Sequence, residues 1–124
     1  MAKKDNKIIG DGGEKLAEAY LVSHGYRILG KNYKTALGEI DIIATDETTL
    51  IFVEVKTRRS LEYGYPSQAV TYIKQKKISQ VAAQYIKRFK LFDVPVRFDI
   101  IEVYLSSSEI NHIEGAFDSY LRYS

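Results

Sequence analysis

Two β-rich runs, GEIDIIA at residues 38–44 and LIFVEVKTR at residues 50–58, are separated only by the polar stretch TDETT. A link this short cannot carry the crossover that parallel strands need, so the two runs can pair only as an antiparallel hairpin. Both are rich in β-formers, yet each is interrupted by charge: Glu39 and Asp41 in the first, Glu54 and Lys56 in the second. Side chains two apart on a strand share a face. Leu50, Phe52, Glu54 and Lys56 therefore point one way and Ile51, Val53 and Val55 the other. In the first run Glu39, Asp41 and Ile43 share a face, with Ile40, Ile42 and Ala44 opposite. The apolar-only faces are expected to be core. The charged faces can coincide across the hairpin, which brings Asp41, Glu54 and Lys56 together.

The remaining pattern places this hairpin in an α/β chain. Gly10, Gly12 and Gly13 loosen the start, so residues 1–12 are expected to be flexible. EKLAEAYLVSHG reads as a helix, with Leu16, Ala17, Tyr20 and Leu21 at helical spacing and Gly25 placed as the residue after its last turn. YRILGKNYK, from Tyr26, reads as a first strand. Residues 57–67 are a loop punctuated by Gly64 and Pro66, and Ser67 is the expected N-cap of a long helix broken near Thr71. Ile78, Val81, Ala82, Tyr85, Ile86 and Phe89 form one apolar stripe of that helix. VPVRFDIIEVYL is a further strand, and residues 106–124 form a C-terminal extension that the pattern leaves unassigned. The order helix, three strands, helix, strand implies one α/β domain over residues 1–124, a mixed β-sheet flanked by helices.

Composition removes several functional classes. The 124 residues include no cysteine, which excludes disulfides and thiolate metal sites, and His24 and His112 are too few for a histidine-rich zinc site. No apolar segment follows the basic start, and none approaches the roughly 18 apolar residues that cross a bilayer, so a cytoplasmic protein is expected. Net charge is only +2, but Glu54–Lys90 holds nine Lys and Arg against two acids. Such a block is the usual footprint of a polyanion partner, although a solvated lysine-rich helix face fits the charge pattern alone equally well.

Paired carboxylates on a largely apolar strand pair repel one another, which raises a pKa or recruits a cation. Oxygen donors suit Mg²⁺, with Mn²⁺ as a substitute, and a lysine beside them can orient or help deprotonate an attacking water. Those are the parts for hydrolysing a phosphodiester. Glu14 shares a helical side with Ala17 and Leu21 and can face the sheet. Each part has a plain structural alternative: Glu-x-Lys is commonly a strand-end ion pair, and an acid such as Glu14 favours a helix N-terminus. Their combination, followed directly by the basic block, is what points to catalysis.

Asp41 followed by Glu54-Val55-Lys56 resembles the PD-(D/E)xK motif of the restriction-endonuclease-like superfamily, with Ile40 where the motif often has proline. More widely, GEKLAEAYLVSHGYRIL, GEIDIIA, FVEVKTR and VRFDII resemble the YraN-like family of bacterial proteins over roughly residues 10–104. The resemblance implies a restriction-endonuclease-like core, related in plan to archaeal Holliday-junction resolvases. It implies Asp41, Glu54, Glu14 and the Val55 carbonyl as metal ligands and Lys56 as the catalytic lysine. Gln68 and Tyr72 match a Gln-x-x-x-Tyr element of some nucleases in the superfamily; for Tyr72, packing between helix and sheet is the expected role.

The expectation is therefore a Mg²⁺-dependent endonuclease, with DNA, branched DNA included, as its partner. Without a recognition module in the sequence, its choice is expected to rest on DNA structure. Arg58, Arg59, Lys74, Lys76 and Lys77 are expected to hold phosphates, which positions a duplex without reading its sequence. Tyr63 and Tyr65, in the same loop, can stack on a base or cap the core. A junction-resolving activity needs two active sites, hence a homodimer. The alternative is a nucleic-acid-binding or protein-adaptor module on a nuclease scaffold that does not turn over.

Overall fold

The computed structural model describes residues 2–59 and 71–118, with side chains from Gly12 onward. In chain order these form α1 (Ala2–Ser23), β1 (Arg27–Thr35), β2 (Gly38–Thr45), β3 (Leu50–Arg58), α2 (Tyr72–Phe89), β4 (Val96–Tyr104) and β5 (Glu109–Ile113). The strands lie in the order β1-β2-β3-β4-β5. β2 and β3 make the expected antiparallel hairpin, β3 and β4 run parallel with α2 between them in the chain, and β1 and β5 pair antiparallel at the two edges. The expected mixed sheet flanked by helices is what forms.

Both faces of the sheet are covered, which explains why Leu50 to Val53 is an unbroken buried run. Ala17 and Leu21 of α1 pack on Ile42, Ala44, Ile51 and Val53. Ile78, Val81, Ala82 and Ile86 of α2 pack on Ile43, Leu50, Phe52 and Phe98 on the other face. The charged face of β3 is thus core as well, wherever α2 lies over it. Phe89, expected at the end of the apolar stripe, is half exposed.

The helix ends differ in part from expectation. α1 begins at Ala2, so the glycines do not interrupt it before Glu14. Gly13 answers to packing: a Cβ there would collide with the Thr57 side chain on β3. Gly25 has φ +89°, and Tyr26 N–H donates to the Leu21 carbonyl (3.0 Å), the closure expected of a glycine just past a helix. α2 is capped by Thr71, whose Oγ1 accepts from Lys74 N–H at 3.2 Å. Ser67 lies outside the described residues. Within the unassigned C-terminal stretch, β5 adds a fifth strand and Phe117 stacks on Phe98 with ring centres 5.1 Å apart.

Candidate active site

The β2–β3 ladder runs from Thr45↔Leu50 to Ile42↔Val53 and stops, while β2 continues to Gly38 beside β1 and β3 continues to Arg58 beside β4. The sheet therefore forks. Asp41 sits at the fork, and its Oδ2 accepts Val55 N–H at 2.8 Å, in the place of a strand carbonyl. Strict alternation fails at this residue: Ile40 packs on the α2 side, not with Ile42 and Ala44 on the α1 side as the period of two implied.

The fork lets charged groups from both sides of the sheet converge. Glu54, on the α2 side of β3, is 7% exposed. Its Oε1 is 2.6 Å from Lys74 Nζ in the first turn of α2 and 3.5 Å from Lys56 Nζ. Gly38, Glu39, Asp41, Glu54, Lys74 and Lys77 line a cleft of about 270 Å³. From the α1 side comes Glu14, a turn before the fully buried Ala17. Asn32 of β1, with left-handed φ 51°, holds it there. With its nitrogen turned toward the carboxylates, the Asn32 amide donates to Glu14 Oε1 (3.0 Å) and Glu39 Oε1 (3.1 Å).

Burial pushes the Asp41 carboxyl up to about 7, helped by the negative charges of Glu54, Glu14 and Glu39 and opposed by the Val55 N–H. Burial and the neighbouring Lys74 pull Lys56 below the ordinary lysine value, against the pull of Glu54. Burial also acts to lower Lys74, but its hydrogen bond to Glu54 and the charges of Glu54 and Asp41 outweigh that and hold it high. The donors facing the fork are all oxygens, and two ammonium groups already crowd Glu54, so a hard divalent cation fits this set. The family resemblance assigns such a cation to Asp41, Glu54, Glu14 and the Val55 carbonyl; among the described residues, the three acidic or histidine side chains whose ligand atoms lie within 4.8 Å of one another are a different set.

The basic residues separate. Lys74, read from sequence as a phosphate-binding lysine, is inside the site; Lys77 is at its rim. Lys76 is exposed, 5.4 Å over the Tyr72 ring. Tyr72 itself is 59% exposed, so it does not pack between helix and sheet as expected. Arg58 ends β3, and Arg59 beyond it is exposed. Gln68, Tyr63 and Tyr65 lie outside the described residues. Sequence reasoning missed Asn32 as a bridge between acids, and it missed Glu102, 2% exposed on β4. A Glu between Ile101 and Val103 in a run of β-formers was the available signal.

A second charged group lies toward the other end of the sheet. Asp99, His112 and Glu114 each offer a ligand atom within 4.8 Å of the others and could hold a metal ion. Asp99 is already committed. Arg97 grips both its oxygens at 2.8 and 2.9 Å, His112 Nε2 is 2.7 Å away and Gly115 N–H donates at 3.0 Å. Burial would raise its pKa, but the His112 and Arg97 hydrogen bonds reverse that and hold it below the usual range. A guanidinium in this position opposes a cation, and the cluster locks β5 to β4.

The chain belongs to the uncharacterised protein family UPF0102, whose model matches residues 13–103, in agreement with the YraN-like resemblance. It is similar to a UPF0102 protein of Clostridioides difficile, 53% identical over 113 residues that cover 91% of this chain and 99% of that one. A UPF0102 protein of Caldanaerobacter subterraneus is 47% identical over 122 residues, 94% of this chain and 100% of that one. Among solved structures, SfsA from Pyrococcus furiosus in complex with Ca²⁺ aligns with 88% of this chain and 63% of its own, at 19% identity and a TM-score of 0.36. That likeness is too distant to carry an argument. No helix among the described residues is long and apolar enough to cross a membrane.

Proposed function

We propose that this protein is a Mg²⁺-dependent DNA endonuclease, with Mn²⁺ as a working substitute. The observation that supports it is the fork itself. Asp41, Glu54 and Glu14 are brought together against electrostatic cost, with Lys56 beside them and Asp41 pushed up to about 7. Perturbed, crowded carboxylates in a cleft mark a candidate working site on physical grounds. A divalent cation held there supplies a Lewis acid for the scissile phosphate and lowers the pKa of a water.

The residues then divide the work. Asp41, Glu54, Glu14 and the Val55 carbonyl hold the cation, and the Val55 N–H keeps Asp41 aimed. Lys56, with its pKa lowered, orients the attacking water and takes up or returns its proton. Gln68, which lies outside the described residues, is assigned to the site on the Gln-x-x-x-Tyr resemblance alone. Arg58, Arg59, Lys76 and Lys77 bind flanking phosphates. α2 carries five Lys and Arg and no acid, which supports a polyanion partner. Such contacts hold phosphates and do not read bases, so selection is by DNA structure. The protein acts in the cytoplasm, as a homodimer if the substrate is a four-way junction.

The test is cleavage of labelled linear, nicked, flapped and four-way-junction DNA in Mg²⁺, Mn²⁺ and EDTA, beside Asp41→Ala and Lys56→Ala. Metal-dependent cutting, abolished in both variants while DNA binding persists, is the expected result. Binding without cutting of any substrate would leave a catalytically silent nucleic-acid-binding or adaptor module on a nuclease scaffold. Cutting unaffected by both substitutions would end the assignment.

A further inference from the structure

Glu102 is buried and only half satisfied. Its Oε1 accepts from Asn111 Nδ2 at 2.6 Å, whereas its Oε2 is buried with no partner among the described residues. A buried carboxyl oxygen that accepts nothing is costly and uncommon in a native fold, so it needs a reason. The strand register offers one. β3 and β4 run parallel with Lys56 opposite Glu102, Glu54 opposite Ile100 and Arg58 opposite Tyr104. Residues paired in this way point to the same face. Lys56 therefore stands between two carboxyls, Glu54 on its own strand and Glu102 on the next.

This inference rests on the metal-site reading given above. Glu54 Oε1 is shared by Lys56 Nζ at 3.5 Å and Lys74 Nζ at 2.6 Å. Once Glu54 turns its oxygens to a divalent cation, both ammonium groups lose that partner and are repelled from it. Lys74, with 42% of its side chain exposed, can turn to solvent or to a substrate phosphate. Lys56, at 15%, is too enclosed to do the same. We propose that Glu102 is the positioning residue for Lys56: Oε2 receives the Lys56 ammonium when the cation takes Glu54, and so keeps the lysine beside the cleft. In the structure Lys56 is paired with Glu54, and Glu102 Oε2 accepts from none of the described residues.

A competitor sits on the same strand face. Arg58 Nε, two residues along β3 from Lys56, is also buried without a partner among the described residues. Coupling between Glu102 and the metal must therefore be shown to pass through Lys56.

The experiment is a double-mutant cycle read by Mn²⁺ titration calorimetry on the intact chain, using wild type, Glu102→Gln, Lys56→Met and the pair. Gln keeps an acceptor for Asn111. Glu102→Gln is expected to weaken Mn²⁺ binding about tenfold in the wild-type background, the usual size for a partner behind the ligands. In the Lys56→Met background the loss should fall below about twofold, because the residue it serves is gone. No loss, an equal loss in both backgrounds, or a loss that disappears in Arg58→Met instead would each overturn the proposal while leaving the metal site standing. Wild type that binds no Mn²⁺ would overturn both.

A readout on the unmutated chain covers the case in which Glu102→Gln does not fold. The side-chain ¹³Cε resonance of Lys56 should move on saturation with Mg²⁺, as its partner changes from Glu54 to Glu102. A resonance that stays in place while the Glu54 resonances move would also overturn the proposal.

Discussion

Lys74 Nζ lies 2.6 Å from Glu54 Oε1, nearer than Lys56 Nζ at 3.5 Å from the same oxygen. The lysine of the Glu-x-Lys pair is thus not the one that grips the glutamate most closely. Lys74 reaches Glu54 because Thr71 caps α2 just before it and directs the first turn of the helix over β3. A buried carboxylate needs a cation beside it, and here a lysine from the crossover helix takes that role.

A cation entering the site must displace Lys74, so removing that ammonium removes a competitor. Lys74→Met should tighten Mn²⁺ binding by about fivefold to tenfold, a coupling of about 1 kcal/mol. Calorimetry at low and at high salt checks it. A weaker affinity in the variant would mean that Lys74 helps the cation rather than standing in for it.

The raised Asp41 pKa makes metal-free stability depend on pH. Its carboxyl titrates near 7 when folded and near 3.8 when unfolded. The folded state therefore holds the proton more tightly, and the stability this gives is full below about pH 4 and lost as pH rises through 7. Asp41→Asn escapes that loss, since the amide oxygen can still accept from Val55 N–H. At pH 8 without metal the variant should be more stable than wild type by on the order of 2–4 kcal/mol. At pH 4 the two should be nearly equal. Urea unfolding at both pH values checks this, and saturating Mg²⁺ should erase the advantage by stabilising wild type alone.

How far the site could be read from sequence depended on which levels of structure each residue answers to. That Asp41 lies near Glu54 and Lys56 was legible because a short polar link forces a hairpin between the strands that carry them. The position of Ile40 was not, because a fork between strands breaks the alternation and belongs to tertiary structure. Lys74 was grouped with Lys76 and Lys77 by sequence adjacency; helical spacing alone does not say how steeply α2 crosses β3. Glu102 hid between Ile101 and Val103, and its register opposite Lys56 is visible only once the sheet is formed.

The exposed lysines of α2 carry a separate prediction. Lys76 and Lys77 form no salt bridge among the described residues. If both hold phosphates, the double substitution to Gln should lower the slope of log K against log salt by about 1.8 and weaken every DNA structure alike. Fluorescence anisotropy across a salt series measures it. An unchanged slope would place the nucleic acid elsewhere.

Gly13 and Thr57 test whether the packing of α1 on β3 sets the position of Glu14, its neighbour in the chain. A Cβ at residue 13 meets the Thr57 side chain, so Gly13→Ala must push the helix from the sheet. Overpacking of this kind costs about 1–3 kcal/mol, more than the roughly 1 kcal/mol that Ala gains over Gly inside a helix. The single variant should therefore be less stable, and it should bind Mn²⁺ more weakly as Glu14 withdraws from Asp41. With Thr57→Ala the Oγ1 and Cγ2 clashes are gone and only a tight contact with Cβ at 3.0 Å is left, which a shift of a few tenths of an ångström relieves. In that background Gly13→Ala should change sign and stabilise, with Mn²⁺ affinity restored. Thermal melts of the four chains decide the first point and calorimetry the second; the same sign in both backgrounds would mean that Thr57 is not what keeps residue 13 a glycine.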